Sequence, residues 1–354
     1  MKYFLYTSIL SNGGAERVLC ELANNLYMTK ENDVYLIASY ETQKEYYINP
    51  HIKKYYLDKD LSNKKSFKQI FKLRQLIKRE KPDIIVSFLP NPNFKMLIAC
   101  LGVKVKKVIS IRNDPNIEYS PKGYKMMAKI LYPLADGIVF QTNDAKVFFS
   151  NRIQKKSQII MNQVNEHFFE CEHDKEDYYI SIGRIDKQKN YELLIAAFSE
   201  FIKLGYNERL YIFGKGEKAY NDKLNKIIKE NGCENNIFLK GITDDVSAVL
   251  RHAKCFIMTS LYEGMPNALL EAMAVGLPCI STDCPCGGPR MIIENNINGF
   301  LFQNKNKNEL VNLLIKVNSD SKLRRKIGDN ARISSYKFKP DIIFKSWLEF
   351  FKNI

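Results

Sequence analysis

The chain has 354 residues, 45% hydrophobic composition and a formal net charge of +15, a length that exceeds one ordinary core and suits two domains. No run of 18 apolar residues occurs, which excludes a hydrophobic stretch able to cross a bilayer. The opening Met1-Lys2-Tyr3-Phe4-Leu5-Tyr6 runs quickly into polar Ser11-Asn12-Gly13, so it reads as a first strand rather than a signal peptide, and a cytoplasmic protein is expected.

Short apolar runs alternate with helical patterns through the first half, as in a parallel α/β sheet. Strands are expected over 3–7, 33–38, 84–88, 108–111 and 137–141, with 159–161 as a last one. Helices fit between them over 15–27, 67–79, 94–101, 122–134 and 143–151. Residues 170–177 are almost all charged, which places a linker within 162–177. The pattern then restarts, with strands over 178–182, 209–213, 237–240, 255–259 and 278–282. Helices are expected over 191–204, 218–231, 245–252 and 267–274, and Ile342, Ile343, Trp347, Phe350 and Phe351 predict an apolar closing helix over 339–354. Two successive α/β domains follow. Most of the excess positive charge precedes Lys175, and such a basic half attracts nucleic acid, anionic lipid or a phosphorylated substrate.

The eight cysteines hold no C-x-x-C, and the four histidines form no ligand cluster, so reduced thiols without metal are expected. The segment carrying chemistry is Glu263-Gly264-Met265-Pro266-Asn267-Ala268-Leu269-Leu270-Glu271. A strand leads in and a helix starts near Asn267, which puts Glu263 in the loop and Glu271 about one turn inside the helix. A helix N-terminus offers unpaired N–H groups and a positive dipole end that suit a diphosphate. A carboxylate beside it can accept two hydrogen bonds from a vicinal diol. Sugar, phosphate and ribose can thus be held in order.

This segment, followed by Ala272-Met273-Ala274-Val275-Gly276-Leu277-Pro278, strongly resembles the retaining glycosyltransferases of family 4. Ser11-Asn12-Gly13-Gly14-Ala15-Glu16-Arg17-Val18 resembles the family's glycine loop, and Ile182-Gly183-Arg184-Ile185-Asp186-Lys187-Gln188-Lys189-Asn190 its basic motif. Phe213-Gly214-Lys215-Gly216-Glu217 and Lys240-Gly241 also match. The resemblance implies the GT-B fold, two doubly wound Rossmann-like domains facing across a cleft. Residues 1–168 would bind the acceptor, 169–336 the nucleotide-sugar, and a helix within 337–354 would cross back to the first domain. It implies a hexosyl or N-acetylhexosaminyl transfer, from a UDP-sugar to a glycan or lipid-linked acceptor, in bacterial surface polysaccharide synthesis, with no metal or other cofactor.

Carried over by position, Arg184 and Lys189 would pair with the donor diphosphate and stabilise the leaving dianion. Glu271 would bind ribose hydroxyls and Glu263 hydroxyls of the donor sugar. Gly183, Gly214, Gly264, Met265, Pro266, Asn267 and Ala268 would line the sugar and phosphate, Gly241 and Ile242 the base, and Gly13 and Gly14 would approach the phosphate from the other domain. Two departures stand out. Ile111-Arg112-Asn113-Asp114-Pro115 lacks the histidine many members carry there, so Arg112 or Asn113 takes the polar role facing the reacting centre. Met291 replaces a frequent glutamate after Cys286-Gly287-Gly288-Pro289-Arg290.

Rival readings fare worse. Asp58-Lys59-Asp60 is a D-x-D, but its lysine-rich surroundings predict a solvated loop rather than a metal site. Gly214-Lys215-Gly216 imitates a dinucleotide fingerprint, yet the next strand ends in Lys240 rather than in an acid. The charge motivates a nucleic-acid-binding protein, but no recognition motif accompanies it, so no nucleic acid partner is expected. A GT-B-fold epimerase or phosphorylase is the nearest enzymatic alternative. The helix over 122–134 carries Lys122, Lys125 and Lys129 and suits peripheral docking on an anionic membrane surface. The helix over 67–79 is read as a cover for the sheet.

Overall fold

The computed structural model describes residues 1–11, 13–29, 31–59, 66–170 and 177–354. Its contacts part the chain into two units, Met1–Asn162 with Ile343–Ile354, and Gln163–Ile342. The linker expectation falls partly on 171–176, outside the described residues.

In the first unit, β1 (Lys2–Thr7), β2 (Asp33–Tyr40), β3 (Lys53–Asp58), β4 (Ile84–Phe88), β5 (Lys106–Ser110), β6 (Gly137–Phe140) and β7 (Ser157–Ile159) form one sheet in the order β3-β2-β1-β4-β5-β6-β7. All pairings are parallel. The central strands are apolar on both faces because helices cover both. The connection from β1 to β2 runs one way across the sheet, while those from β3 to β4, β4 to β5 and β5 to β6 run the other. Right-handed crossovers therefore place helix Gly14–Met28 on one face and helices Ser66–Glu80, Pro90–Ala99 and Tyr124–Leu131 on the opposite one. Val18, Leu19, Leu22 and Leu26 share their core with Ile343, Trp347, Phe350 and Phe351 of the last helix, Pro340–Lys352.

The second unit repeats the plan. β8 (Tyr178–Ile182), β9 (Leu210–Phe213), β10 (Ile237–Gly241), β11 (Ala253–Met258), β12 (Cys279–Asp283) and β13 (Phe300–Gln303) are ordered β10-β9-β8-β11-β12-β13. The strand order reverses between β8 and β11, the switch point outside which such sheets bind ligands.

Several sequence expectations need correction. Residues before Asp58 form β3, an edge strand, and Asp58 receives hydrogen bonds from Lys72 Nζ (2.9 Å) and Gln69 Nε2 (2.9 Å), so it is not a solvated loop carboxylate. Asp60 lies outside the described residues. The helix expected over 143–151 is two short ones, Asn143–Val147 and Asn151–Gln154, because Phe149 turns in to pack on Tyr119, Tyr132 and Phe140. The last strand of the first sheet is Ser157–Ile159 rather than 159–161. β13 and helices Gly288–Ile292, Lys307–Ser319 and Ser321–Ser335 were not anticipated. Helix Ser66–Glu80 does cover the sheet with Leu73, Leu76 and Ile77, but Phe67 and Phe71 point away from it.

Candidate functional site

In the second unit, the loops after β8, β11 and β12 meet at the carboxyl ends of the strands, around the switch point. The β8 loop is anchored to the β11 loop by its backbone. Thr259 Oγ1 donates to the carbonyls of Lys189 (2.9 Å) and Asn190 (3.1 Å), Leu261 N–H donates to Gln188 O (2.7 Å), and Gln188 Nε2 donates to Tyr262 O (2.9 Å). Asp186 caps the intervening turn through Lys189 N–H. This frame brings Lys189 Nζ to 2.6 Å from Glu263 Oε1, in a pair largely withdrawn from water. The Glu263 backbone is fixed from the other side: its N–H donates to Pro285 O (2.6 Å) and its carbonyl accepts from Cys286 N–H (2.9 Å).

Two glycines make the close approaches possible. A Cβ on Gly288 would sit 1.6 Å from the Gly264 carbonyl oxygen, and one on Gly214, at φ +154°, would sit 1.8 Å from the Gly183 carbonyl oxygen. Past Gly264, Met265 and Pro266 are buried, and helix Asn267–Val275 begins after Pro266, whose side chain makes no capping hydrogen bond. This helix thus starts just past the loop that carries Glu263, and a helix N-terminus favours an anion. The helix forms because its sequence is alanine- and leucine-rich, and it ends at Gly276. Glu271 is buried on it, one turn beyond the N-terminus. Arg184 is exposed, donating to Gln188 Oε1 (3.2 Å) and lying 3.5 Å from Asp186, both in its own loop. β10 ends at Gly241, and Ile242 after it is exposed.

In the first unit, Gly13 precedes helix Gly14–Met28 as its N-cap, again without a side-chain cap; Asn12 lies outside the described residues. Arg112 follows β5, and its guanidinium lies 4.4 Å from the Phe88 ring centroid. Its Nη2 donates to Asn162 Oδ1 (2.5 Å), which Gln141 Nε2 also meets (2.6 Å). No partner meets its buried Nε, and burial lowers its pKa to about 9. Asn113 is half-buried beside it, and Asp114 accepts from Asn116 N–H to cap the short helix Pro115–Glu118. The Glu118 carboxyl is pushed up to about 8 by burial, then by Asp114 and Glu16, with Arg112 opposing, and its Oε2 has no hydrogen-bond partner.

The structure therefore joins Lys189, Glu263, Gly264 and the start of the Asn267 helix, and leaves Arg184 apart on the surface of the same loop. Sequence reasoning missed Thr259, Gln188 and Cys286, which hold the loops through backbone contacts and carry no spacing signal, and Glu118, whose environment exists only after folding. The described cysteines are free and buried; Cys171 and His173 lie outside the described residues. No group of metal-ligating side chains is found among the described residues, and no helix among them is long and apolar enough to cross a membrane.

Comparison with known proteins adds an independent line. Residues 163–334 match the family described as Glycosyl transferases group 1, and residues 12–167 match Glycosyltransferase Family 4. The GalNAc-alpha-(1->4)-GalNAc-alpha-(1->3)-diNAcBac-PP-undecaprenol alpha-1,4-N-acetyl-D-galactosaminyltransferase of Campylobacter jejuni is 27% identical, covering 100% of this chain and 99% of its own. The UDP-Gal:alpha-D-GlcNAc-diphosphoundecaprenol alpha-1,3-galactosyltransferase of Escherichia coli is 25% identical over 84% of this chain and 83% of its own. Anabaena HepE, solved with UDP and glucose, superposes with a TM-score of 0.84 at 16% identity over 100% of both chains, a likeness of fold.

Proposed function

The chain belongs to the glycosyltransferases, with a family 4 first half and a group 1 second half, and from that premise we propose that it moves a hexosyl or N-acetylhexosaminyl group from a UDP-sugar to a glycan or lipid-linked acceptor, with retention of configuration, in bacterial surface polysaccharide synthesis. The observation that carries the donor reading is the Lys189–Glu263 pair at the switch point, beside the Asn267 helix N-terminus. A nucleotide-sugar supplies a counterpart to each group. Its diphosphate takes Lys189, the first-turn amides and Arg184; its sugar hydroxyls donate to Glu263; its ribose hydroxyls meet Glu271; and its base lies near Gly241 and Ile242.

In transfer, the acceptor oxygen forms its bond to the anomeric carbon as the bond to the diphosphate breaks. The cations stabilise the charge developing on the departing phosphate, and that phosphate takes the acceptor's proton. UDP-galactose is an α-linked donor, so an α product formed from it retains configuration, and the E. coli relative's name states that donor and product. The first domain, 1–168, is assigned the acceptor, with Arg112 and Asn113 at the carboxyl ends of its strands, while its Gly13 and Gly14 are assigned to the donor phosphate. The second, 169–336, is assigned the donor, and 337–354 the return to the first. The lipid diphosphate acceptors in the relatives' names support docking on an anionic membrane through Lys122, Lys125 and Lys129, all exposed around helix Tyr124–Leu131.

The test is titration with a panel of UDP- and GDP-sugars, followed by identification of the product anomer. Binding of one UDP-sugar is expected, with turnover that persists in EDTA. Arg184→Ala should weaken that binding by roughly ten-fold, the loss of one charge-assisted hydrogen bond. Failure of every nucleotide-sugar to bind refutes the reading.

A further inference from the structure

Helix Ser66–Glu80 has two apolar faces, and only one is used. Leu73, Leu76 and Ile77 are buried against the first unit. On the other side, Phe67 is 89% exposed and Phe71 60% exposed, one helical turn apart. Among the described side chains of this helix, the remaining exposed ones are Lys68, Gln75, Lys78 and Arg79, with no carboxylate among them. Of the described acids beside it, Asp58 binds Lys72, and Glu80 binds Arg79 and Tyr35.

The same arrangement recurs two helices away. Helix Tyr124–Leu131 exposes Met126 (63%) and Ile130 (61%), again four residues apart, among exposed Lys122, Lys125 and Lys129. The stripe of Tyr124, Met127 and Leu131 instead faces partly inward. Both helices flank Pro90–Ala99 on one face of the sheet, so the two pairs share a side of the unit. Paired large apolar side chains beside exposed lysines are the pattern of a helix lying in the headgroup region of an anionic bilayer. A second copy of the chain is a poor occupant, because a self-complementary contact would bring this lysine-bearing face against itself.

We infer that helix Ser66–Glu80 is a second membrane-docking element, whose Phe67 and Phe71 insert among the headgroups of an anionic bilayer while Lys68 and Lys78 meet lipid phosphates. This rests on the docking reading given above for Lys122, Lys125 and Lys129 and adds an aromatic wedge to it. The wedge also sets which face of the first unit turns toward a lipid-linked acceptor.

The experiment uses Phe71→Trp protein. The native chain has one tryptophan, Trp347, which is 2% exposed, so the added signal reports on this helix. On phosphatidylglycerol/phosphatidylcholine vesicles the emission should shift to the blue and be quenched by lipids brominated high on the acyl chain. Phosphatidylcholine alone should give neither effect. In sedimentation, Phe67→Ser/Phe71→Ser protein should bind anionic vesicles at least about ten-fold more weakly, with its thermal midpoint unchanged because both rings are exposed. If the protein sediments with anionic vesicles but the emission does not move, or the double variant binds like the parent, the wedge is refuted and lysine-based docking stands. If it does not sediment at all, both fall.

Discussion

Lys189 and Glu263 each give up water for the other, and a buried pair is costly to break from one side. Lys189→Ala should leave the Glu263 carboxylate withdrawn from water and opposite nothing, lowering stability by about 3 kcal/mol in urea unfolding. Lys189→Met with Glu263→Leu should recover most of that loss while leaving donor binding absent, which separates support of the loop from recognition. Equal stability of Lys189→Ala and parent would contradict the pairing. Glu118 gives a prediction of opposite pH sense from most carboxylates. Its folded pKa, about 8, lies above the ordinary 4.5, so between those values the folded chain holds a proton that the unfolded chain has released. Its contribution to stability therefore falls as pH rises through that window. Glu118→Gln keeps the buried group neutral at every pH, so its unfolding free energy should fall less than the parent's between pH 5 and about 8. Parallel profiles would count against a buried, protonated Glu118. Arg112 is lowered in pKa by the same burial, and its stacking on Phe88 could not be read from Ile111-Arg112-Asn113, because Phe88 belongs to another strand.

At the level of elements, the donor loops depend on backbone approach. Gly288→Ala places a methyl 1.6 Å from a carbonyl oxygen, not from a yielding side chain, so the 285–288 loop must move and take its hydrogen bonds with Glu263 along. A fall in both thermal midpoint and UDP affinity is expected. Gly232→Ala is the control. Nothing lies within 4 Å of that Cβ, and only its φ of +68° is unfavourable, at about 1 kcal/mol. If the two variants behave alike, close packing of the Gly264 loop is not what Gly288 provides. Most strands and long helices were legible because their apolar residues recur with the right period. β3 was obscured by its position at the sheet edge, where Lys53, Lys54, Tyr55 and Tyr56 remain partly in water. The interruption within 143–151 was hidden because two adjacent phenylalanines read as helix until the aromatic cluster that claims Phe149 is known.

For the whole molecule, the last helix ties the end of the described chain to the sheet at its start. Trp347 stacks on Phe88, with ring centroids 6.0 Å apart, and shares the core of Tyr3, Leu5 and Val86. Trp347→Ala should cost about 3–5 kcal/mol. Hydrogen exchange should locate that loss in the 1–162 segment; loss confined to 163–342 would contradict the packing. The sequence by itself determined two α/β units, most of their strands and long helices, and the chemical identity of the Glu263–Glu271 segment, since periodicity, glycine punctuation and residue type are local properties. Tertiary structure alone decided which of those residues meet. Lys189 and Glu263 stand 74 positions apart and touch only because the strand order reverses between β8 and β11. The exposure of Phe67 and Phe71, and the surroundings of the Glu118 carboxyl, were decided there too, because each depends on which surfaces the rest of the fold removes from water.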